Sequence, residues 1–136
     1  MAILYNKMER IDLNKADGQR FWYPVVRSRG LVKVKKIAEK LSKKSVLSAG
    51  EIEVLISQLC ELMMDRLLNG ETVQFGEFGS FRITINSEAS DSEREVTSAK
   101  IKKVTVRFTA SQWLKNIMKE AKFLHTSAVA KKQKKK

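Results

Sequence analysis

The stretch Gly70–Ile83, "GETVQFGEFGSFRI", decides the fold because two glycines interrupt β-forming residues within four positions. Val73 and Phe75 alternate with polar residues before the glycines, and Phe81 and Ile83 do so after them. Glycine accepts a positive φ and permits close backbone approach, so the segment predicts a tight reversal between two antiparallel strands. A phosphate-cradling glycine loop is the alternative, but the chain contains neither GxGxxG nor GxxxxGK[ST]. The three glycines assigned to turns are Gly70, Gly76 and Gly79.

Two helices are predicted upstream of this stretch. Apolar residues recur at helical spacing from Val34 to Leu41, with lysines on the other faces. Ser48 and Glu51 have the spacing of a capping box, which predicts the start of a second helix. A broad apolar stripe follows to Leu67, and Asn69-Gly70 is a typical stop signal.

Downstream of the stretch, the pattern predicts two longer strands, a polar connection and a last helix. Ile83 and Ile85 continue the second strand, and Val104, Val106 and Phe108 give the third strand its apolar face. The polar residues 87–100 are interpreted as a hairpin tip or mobile loop. Thr109 is predicted to cap the last helix, whose basic side would carry Lys115, Lys119 and Lys122.

Residues 1–30 contain three consecutive aromatic residues, Phe21, Trp22 and Tyr23, followed by the only proline, Pro24. Such a cluster is unusual in a disordered tail. We expect an ordered extension with a strand near residues 20–28 whose aromatic side chains pack onto the domain. A surface on which nucleic-acid bases stack is the other interpretation.

Charge is distributed unevenly along the chain. The net charge of +12 divides into +3 for residues 1–30, +5 for 31–47, −6 for 48–100 and +10 for 101–136. Two basic blocks around an acidic middle favour a polyanionic partner such as nucleic acid, and an anionic membrane surface is a weaker alternative. A merely solubilising surface would give the same totals.

Several classes of function have no support in the sequence. The longest apolar run is far below the ~20 residues of a membrane span, and a single cysteine, Cys60, fits a reducing cytoplasm. The chain contains one histidine, His125, and has no CxxC or HExxH pattern. We therefore predict no catalytic residues, no bound metal, no cofactor, no small-molecule substrate and no enzyme activity.

The chain resembles the bacterial HU and integration host factor family of histone-like DNA-binding proteins. The resemblance lies in the order of its elements: a helix, a capped helix, "NGE", a valine, "FGSF", a connection and a short helix. The resemblance extends from about Leu31 to Phe123, and it is most specific from Leu68 to Ile83. The preceding segment is similar to an HU-related branch with an N-terminal extension. The resemblance implies an HU-like domain at residues 31–123 after an extension at residues 1–30, and the lysine-rich composition of the remaining residues 124–136 predicts a disordered tail.

The same resemblance implies an α+β fold and an intertwined homodimer. Two N-terminal helices, a three-stranded antiparallel sheet with a protruding β-arm at about residues 87–100 and a short C-terminal helix would form each subunit. The dimer has independent support, because the stripe after Ile52 and the phenylalanines are too many for one small domain to bury. The predicted dimer core consists of Ile52, Ile56, Leu59, Met63, Phe75, Phe78, Phe81 and Phe108.

The arm departs from the family pattern. Family arms are basic and carry a proline that wedges between base pairs. Here residues 87–100 contain no proline, and four acidic residues outnumber Arg94 and Lys100. A net-negative ribbon is repelled by the phosphates of a DNA groove, so we expect DNA contact to move from the arm to the body.

The expected function is that of a nucleoid-associated, histone-like protein that binds and condenses duplex DNA without sequence specificity and bends it weakly. The predicted phosphate contacts are Lys33, Lys35, Lys36, Arg82, Lys103, Arg107, Lys115, Lys119, Lys122, Lys131, Lys132, Lys134, Lys135 and Lys136. The alternative is an HU-fold protein-interaction or structural module that has lost DNA binding. RNA binding is a third hypothesis.

Overall fold

The structure is a computed structural model that describes residues 1–15 and 18–128. The chain divides into two compact units. Residues 1–32 and 119–128 form the first unit, and Lys33–Met118 form the second. The division assigns the chain after the last helix to the same unit as the N-terminal residues.

The second unit begins with two helices, α1 (Val34–Ser42) and α2 (Ala49–Leu68). The predicted capping box is confirmed: the Glu51 N–H donates to Ser48 Oγ at 3.2 Å, and the Ser48 N–H donates to Glu51 Oε2 at 2.7 Å. Helix α2 ends where the sequence predicts, at Asn69-Gly70, and Gly70 adopts φ +80°. Both helices therefore follow from local signals.

Three antiparallel strands form the sheet of the second unit, in the order β3 (Val73–Phe75), β4 (Gly79–Ser87) and β5 (Ile101–Ala110). The register pairs Phe81 with Phe108 and Arg82 with Arg107, so side chains alternate between an apolar face and a polar face. This alternation matches the pattern read from the sequence.

The two glycines of the β3–β4 turn have different roles. Gly76 adopts φ +53°, a conformation that side chains disfavour. Gly79 is buried and extended, and a Cβ atom there would lie 2.7 Å from the Phe108 ring and even closer to the carbonyl oxygen of Thr109. The turn thus needs one glycine for its backbone angle and the other for close strand packing.

The connection between β4 and β5 is not a β-ribbon. The strands end at Ser87 and begin again at Ile101, and single turns of 3-10 helix lie at Glu93–Glu95 and Ser98–Lys100. Its base is closed by the Glu88 N–H, which donates to the Lys100 carbonyl oxygen at 3.0 Å, and by a 2.6 Å ion pair between Lys102 and Glu88.

The last helix, α3 (Gln112–Met118), differs from the prediction in its cap and its length. Thr109 is in β5, and Ser111 caps the helix instead by accepting a 3.1 Å hydrogen bond from the Leu114 N–H. The Ser111 hydroxyl also donates to the Glu77 carbonyl oxygen, and this bond anchors the helix start to the β3–β4 turn. Lys119 lies beyond the helix end.

The first unit contains a three-stranded sheet, of which the sequence pattern predicts only one strand. Its strand order is β2 (Arg20–Arg27), β1 (Ile3–Ile11) and β6 (Phe123–His125). Strand β2 was predicted, whereas β1 and β6 were not. Strand β6 pairs parallel with Ile3–Tyr5, and it includes residues 124 and 125, which the sequence places in the tail. Parallel pairing joins the two ends of the unit, a contact that leaves no local sequence signal.

Most large apolar side chains remain open to solvent. Of the described residues, only Ala38 and Ile52 are buried hydrophobic residues. Along α2, Leu55 is 51% exposed and Leu62 is 57% exposed, and on the apolar face of the sheet Val106 is 56% exposed. The described residues therefore leave much of their apolar surface uncovered.

Candidate nucleic-acid interface

The polar face of the β3–β4–β5 sheet gathers three of the predicted phosphate contacts. Arg82 is directly opposite Arg107, and Lys103 is opposite Asn86 on the same face. All three cations are exposed. Strand alternation explains the grouping, because residues two apart point to the same side of a sheet.

Hydrogen-bonding side chains separate these cations. Thr84 pairs with Thr105 between the arginine pair and Lys103, and Ser80 pairs with Thr109 beyond the arginines. The strand positions of this face contain no carboxylate. Cations interleaved with hydroxyl and amide groups are the chemistry that contacts DNA phosphates, and such contacts carry no direct sequence information.

The arginine pair is electrostatically unfavourable without a ligand, because like charges directly opposite each other destabilise a sheet. Among the described residues, the ion pairs join Arg20 to Glu9, Arg66 to Glu71 and Lys102 to Glu88, so neither Arg82 nor Arg107 takes part in one. A bound phosphate would relieve the repulsion.

The start of α1 forms a second cluster of predicted contacts. Lys33 is the N-cap residue, and Lys35 and Lys36 lie in the first turn. This turn contains no acidic residue, and no side chain caps it. Helix N-termini attract anions through their free N–H groups and the helix dipole, so the lysines and the backbone favour the same ligand.

The remaining predicted contacts are not brought together as the sequence suggested. Lys115 lies in α3, but Lys119 and Lys122 belong to the first unit, so the predicted basic side of the last helix is wrong. The Lys122 carbonyl oxygen accepts a 2.7 Å hydrogen bond from the Ile3 N–H, because the chain turns there into β6. The five tail lysines, Lys131, Lys132, Lys134, Lys135 and Lys136, lie outside the described residues.

The residues predicted for a dimer core range from buried to half exposed. Ile52 is 6% exposed, and Ile56, Met63 and Phe81 are of intermediate burial. Leu59, Phe75, Phe78 and Phe108 are exposed to between 39% and 50%. Phe108 contacts both Phe81 and Phe78, with ring centroids 5.0 Å and 5.5 Å apart. The phenylalanines therefore form a cluster that is open on one side.

Other kinds of site lack the groups they would need in the part of the chain that the structure describes. No group of three or more His, Cys, Asp or Glu side chains there is arranged to hold a metal ion. No described helix is both long and apolar enough to cross a membrane.

Comparison with known proteins identifies the family. Residues 1–125 match the family model described as "HU domain fused to wHTH, Ig, or Glycine-rich motif". The match covers most of the chain, and the chain therefore belongs to this HU-like family. The matched region includes residues 1–30, which precede the part that carries the HU resemblance.

A solved structure shares the fold. The chain is similar to a "putative bacterial DNA binding protein" from Bacteroides vulgatus ATCC 8482, with a TM-score of 0.62 and 11% sequence identity. The similarity covers 92% of this chain and 48% of that one, so this chain spans about half the length of the matched protein. The comparison with curated proteins gives no match.

Proposed function

We propose that this protein is an architectural DNA-binding protein of the bacterial nucleoid that binds duplex phosphates as a homodimer without sequence preference. The observation that carries the proposal is the polar sheet face on which Arg82, Lys103 and Arg107 are exposed among hydroxyl and amide groups. Membership of the HU-like family and the fold shared with the matched protein support it.

Weak bending of the DNA follows from the connection between β4 and β5. Wedge-type bending requires an apolar side chain or proline that enters the minor groove at the end of a basic arm. This connection has no proline, carries a net charge of −2 and uses one of its cation neighbours, Lys102, in an ion pair with Glu88. The body of the dimer would therefore supply the phosphate contacts.

The homodimer part of the proposal rests on the uncovered apolar surface of the second unit. Leaving a large apolar side chain exposed forfeits about 1.5–3 kcal/mol relative to burying it. Exposed leucines along α2 and the open phenylalanine cluster would both be covered by a second copy related by a two-fold axis.

A salt titration with duplex DNA tests phosphate binding. Three sheet cations from each of two subunits would neutralise about six phosphates, so log K should fall with log salt at a slope of about −5. Duplexes of equal length and different sequence should bind with equal affinity. A slope near zero would contradict the proposal.

The alternative is a protein-interaction module that retains the fold without DNA binding. The exposed apolar surface and the acidic connection favour this alternative. A gel shift that compares duplex DNA, single-stranded DNA and double-stranded RNA at two salt concentrations separates the hypotheses. Binding to none of the three would support the interaction module, and a preference for double-stranded RNA would support RNA binding.

A further inference from the structure

The β2–β1–β6 sheet of the first unit has an exposed apolar face that the proposed duplex site does not use. A groove of about 950 Å³ lies on this face. Its lining consists of Tyr5, Lys7, Trp22, Pro24, Val26 and Phe123, which share this face, and of Tyr23, whose strand position alternates with theirs. The aromatic side chains of residues 1–30 were expected to pack onto the domain, yet Trp22 is 67% exposed; Phe123, on β6, is 62% exposed.

Strand register explains why these side chains share one face. Trp22 is opposite Glu9, Pro24 is opposite Lys7 and Val26 is opposite Tyr5, at alternate positions of β1 and β2. Phe123 joins the same face because it pairs with Ile3 on the other side of β1. The groove is therefore a consequence of the backbone pairing.

The aromatic side chains are spaced along the strands with a cation between them. Trp22 on β2 is opposite Glu9, which lies four residues, or about 13 Å, from Tyr5 along β1. Lys7 lies midway between Tyr5 and Glu9. The Tyr5 ring is supported by His125, whose ring centroid lies 5.3 Å away in an edge-to-face arrangement. An aromatic, cationic, aromatic order matches a ligand that alternates flat rings with negative charges.

Charge around the groove favours an anionic partner. Glu9 is the acidic residue among these face positions, and Arg20 lies 3.8 Å from it, which leaves Lys7 as the excess charge. A neutral apolar partner would gain nothing from the uncompensated charge of Lys7, whereas an anion with aromatic rings would use both the charge and the exposed rings.

We propose that this face binds unpaired nucleic acid by stacking nucleobases on Trp22 and Tyr5 while Lys7 contacts the intervening phosphate. A duplex cannot use such a face, because its bases are already stacked on one another. Single strands bind proteins through exposed aromatic rings set in a positively charged groove, and the stacking tolerates any base sequence. This function is separate from the duplex contacts assigned to the second unit.

Tryptophan fluorescence provides a direct test, because Trp22 and Trp113 are the only tryptophans in the chain. In the full-length Trp113→Phe protein, Trp22 is the sole reporter. Oligo(dT) and oligo(U) should quench its emission, and an abasic oligonucleotide of the same length should not. Comparing oligo(dU) with oligo(U), which differ only in the sugar, also shows whether the sugar matters. No quenching at saturating oligo(dT), or equal quenching by the abasic strand, would overturn the proposal.

Substitutions add a second readout. Trp22→Ala should weaken oligo(dT) binding at least about fivefold, the lower end for one lost stacked base, whereas Trp22→Phe should retain most of the affinity because it keeps a ring. Met8→Ala is the matched control, since Met8 is exposed on the other face of β1. Far-UV circular dichroism checks folding. Equal binding by the two Trp22 variants would refute stacking.

Two further outcomes separate this site from the others. In a protein that carries Arg82→Gln and Arg107→Gln, duplex binding should fall while Trp22 quenching by oligo(dT) remains. Loss of quenching in that protein would place the single strand on the second unit and contradict the proposal. A Trp22→Ala change that lowers the sedimentation mass and leaves oligo(dT) affinity unchanged would identify the face as a self-association surface instead.

Discussion

Arg82 lies directly opposite Arg107 across the β4–β5 ladder, on a sheet face that carries no carboxylate at its strand positions. Like charges directly opposite each other destabilise a sheet, and under the proposed function this pair would bind phosphate.

The arginine pair leads to the first prediction. Arg107→Gln should weaken duplex binding for all sequences and reduce the magnitude of the salt slope by about 2, because the change occurs in both subunits of the proposed dimer. The same change should raise the free energy of unfolding by a few tenths of a kcal/mol, since it removes the like-charge pair. Binding titrations at four salt concentrations and urea denaturation measure both effects.

Arg66→Gln serves as the matched control for charge. Arg66 lies near the end of α2, where it is 3.6 Å from Glu71, and it is absent from the sheet face. It should leave the salt slope nearly unchanged. If both substitutions lowered the slope equally, the binding would reflect net charge and the sheet face would have no special role.

The two turn glycines give a second prediction, which distinguishes the cost of steric overpacking at Gly79 from the cost of backbone strain at Gly76. Gly79→Ala places a Cβ against the Phe108 ring and the Thr109 carbonyl, so overpacking should cost about 1–3 kcal/mol. Gly76→Ala meets open space but retains φ +53°, and it should cost about 1–2 kcal/mol from backbone strain.

Gly50→Ala is the control for the glycine series. Gly50 lies in the first turn of α2 with open space around its Cβ position, and its φ is not positive. Alanine there should stabilise the protein by about 0.4–1 kcal/mol. Urea midpoints at one fixed protein concentration compare all three variants. A neutral Gly79→Ala would mean that β4 and β5 do not approach as closely as described.

The sequence predicted the second unit well because its signals are local. The Ser48–Glu51 spacing, the helical apolar stripe and the alternation around Arg82 each act within one element, and the structure follows them. The first unit depended on pairing between residues 3–5 and 123–125, which no local pattern records. The predicted helix face of Lys115 and Lys119 was wrong because the helix ends at Met118, before Lys119.

The capping box provides a third prediction. Ser48→Ala removes the acceptor of the Glu51 N–H and should lower the free energy of unfolding by about 1 kcal/mol. Ser57→Ala, at an exposed position within the same helix, should be neutral or slightly stabilising because alanine favours helix. Thermal or urea denaturation gives the comparison. Equal effects at both positions would show that the cap contributes nothing specific.

The uncovered apolar stripe of α2 leads to the fourth prediction. Leu59 is 39% exposed in the subunit, and burial against a second copy would make a charge there costly. Leu59→Asp should shift the sedimentation equilibrium toward monomer and lower stability, whereas Val96→Asp, on the β4–β5 connection, should do neither. A wild-type protein that sediments as a monomer at low micromolar concentration would rule out the shared core.

The fifth prediction concerns the β4–β5 connection, which we expect to contribute little to duplex affinity. The Glu88 N–H already bonds to the Lys100 carbonyl, so residues 89–99 can be replaced by Asn-Gly without disturbing the strands. The affinity for duplex DNA at about 0.15 M salt should change less than about twofold. The deleted segment is acidic, so it supplies no net attraction for phosphates, and at this salt concentration its repulsion of DNA is screened beyond about 8 Å.

A full-length variant with Glu93→Gln and Glu95→Gln tests whether the β4–β5 connection lies far from bound duplex DNA or lies close enough for its acidic residues to repel it. Both residues lie in one turn of 3-10 helix, and neither forms an ion pair among the described residues. If the connection stays away from DNA, this variant and the shortened protein should bind alike. A tenfold loss on shortening would show that the connection grips the duplex despite its charge, and the phosphate contacts would then have to be reassigned to it.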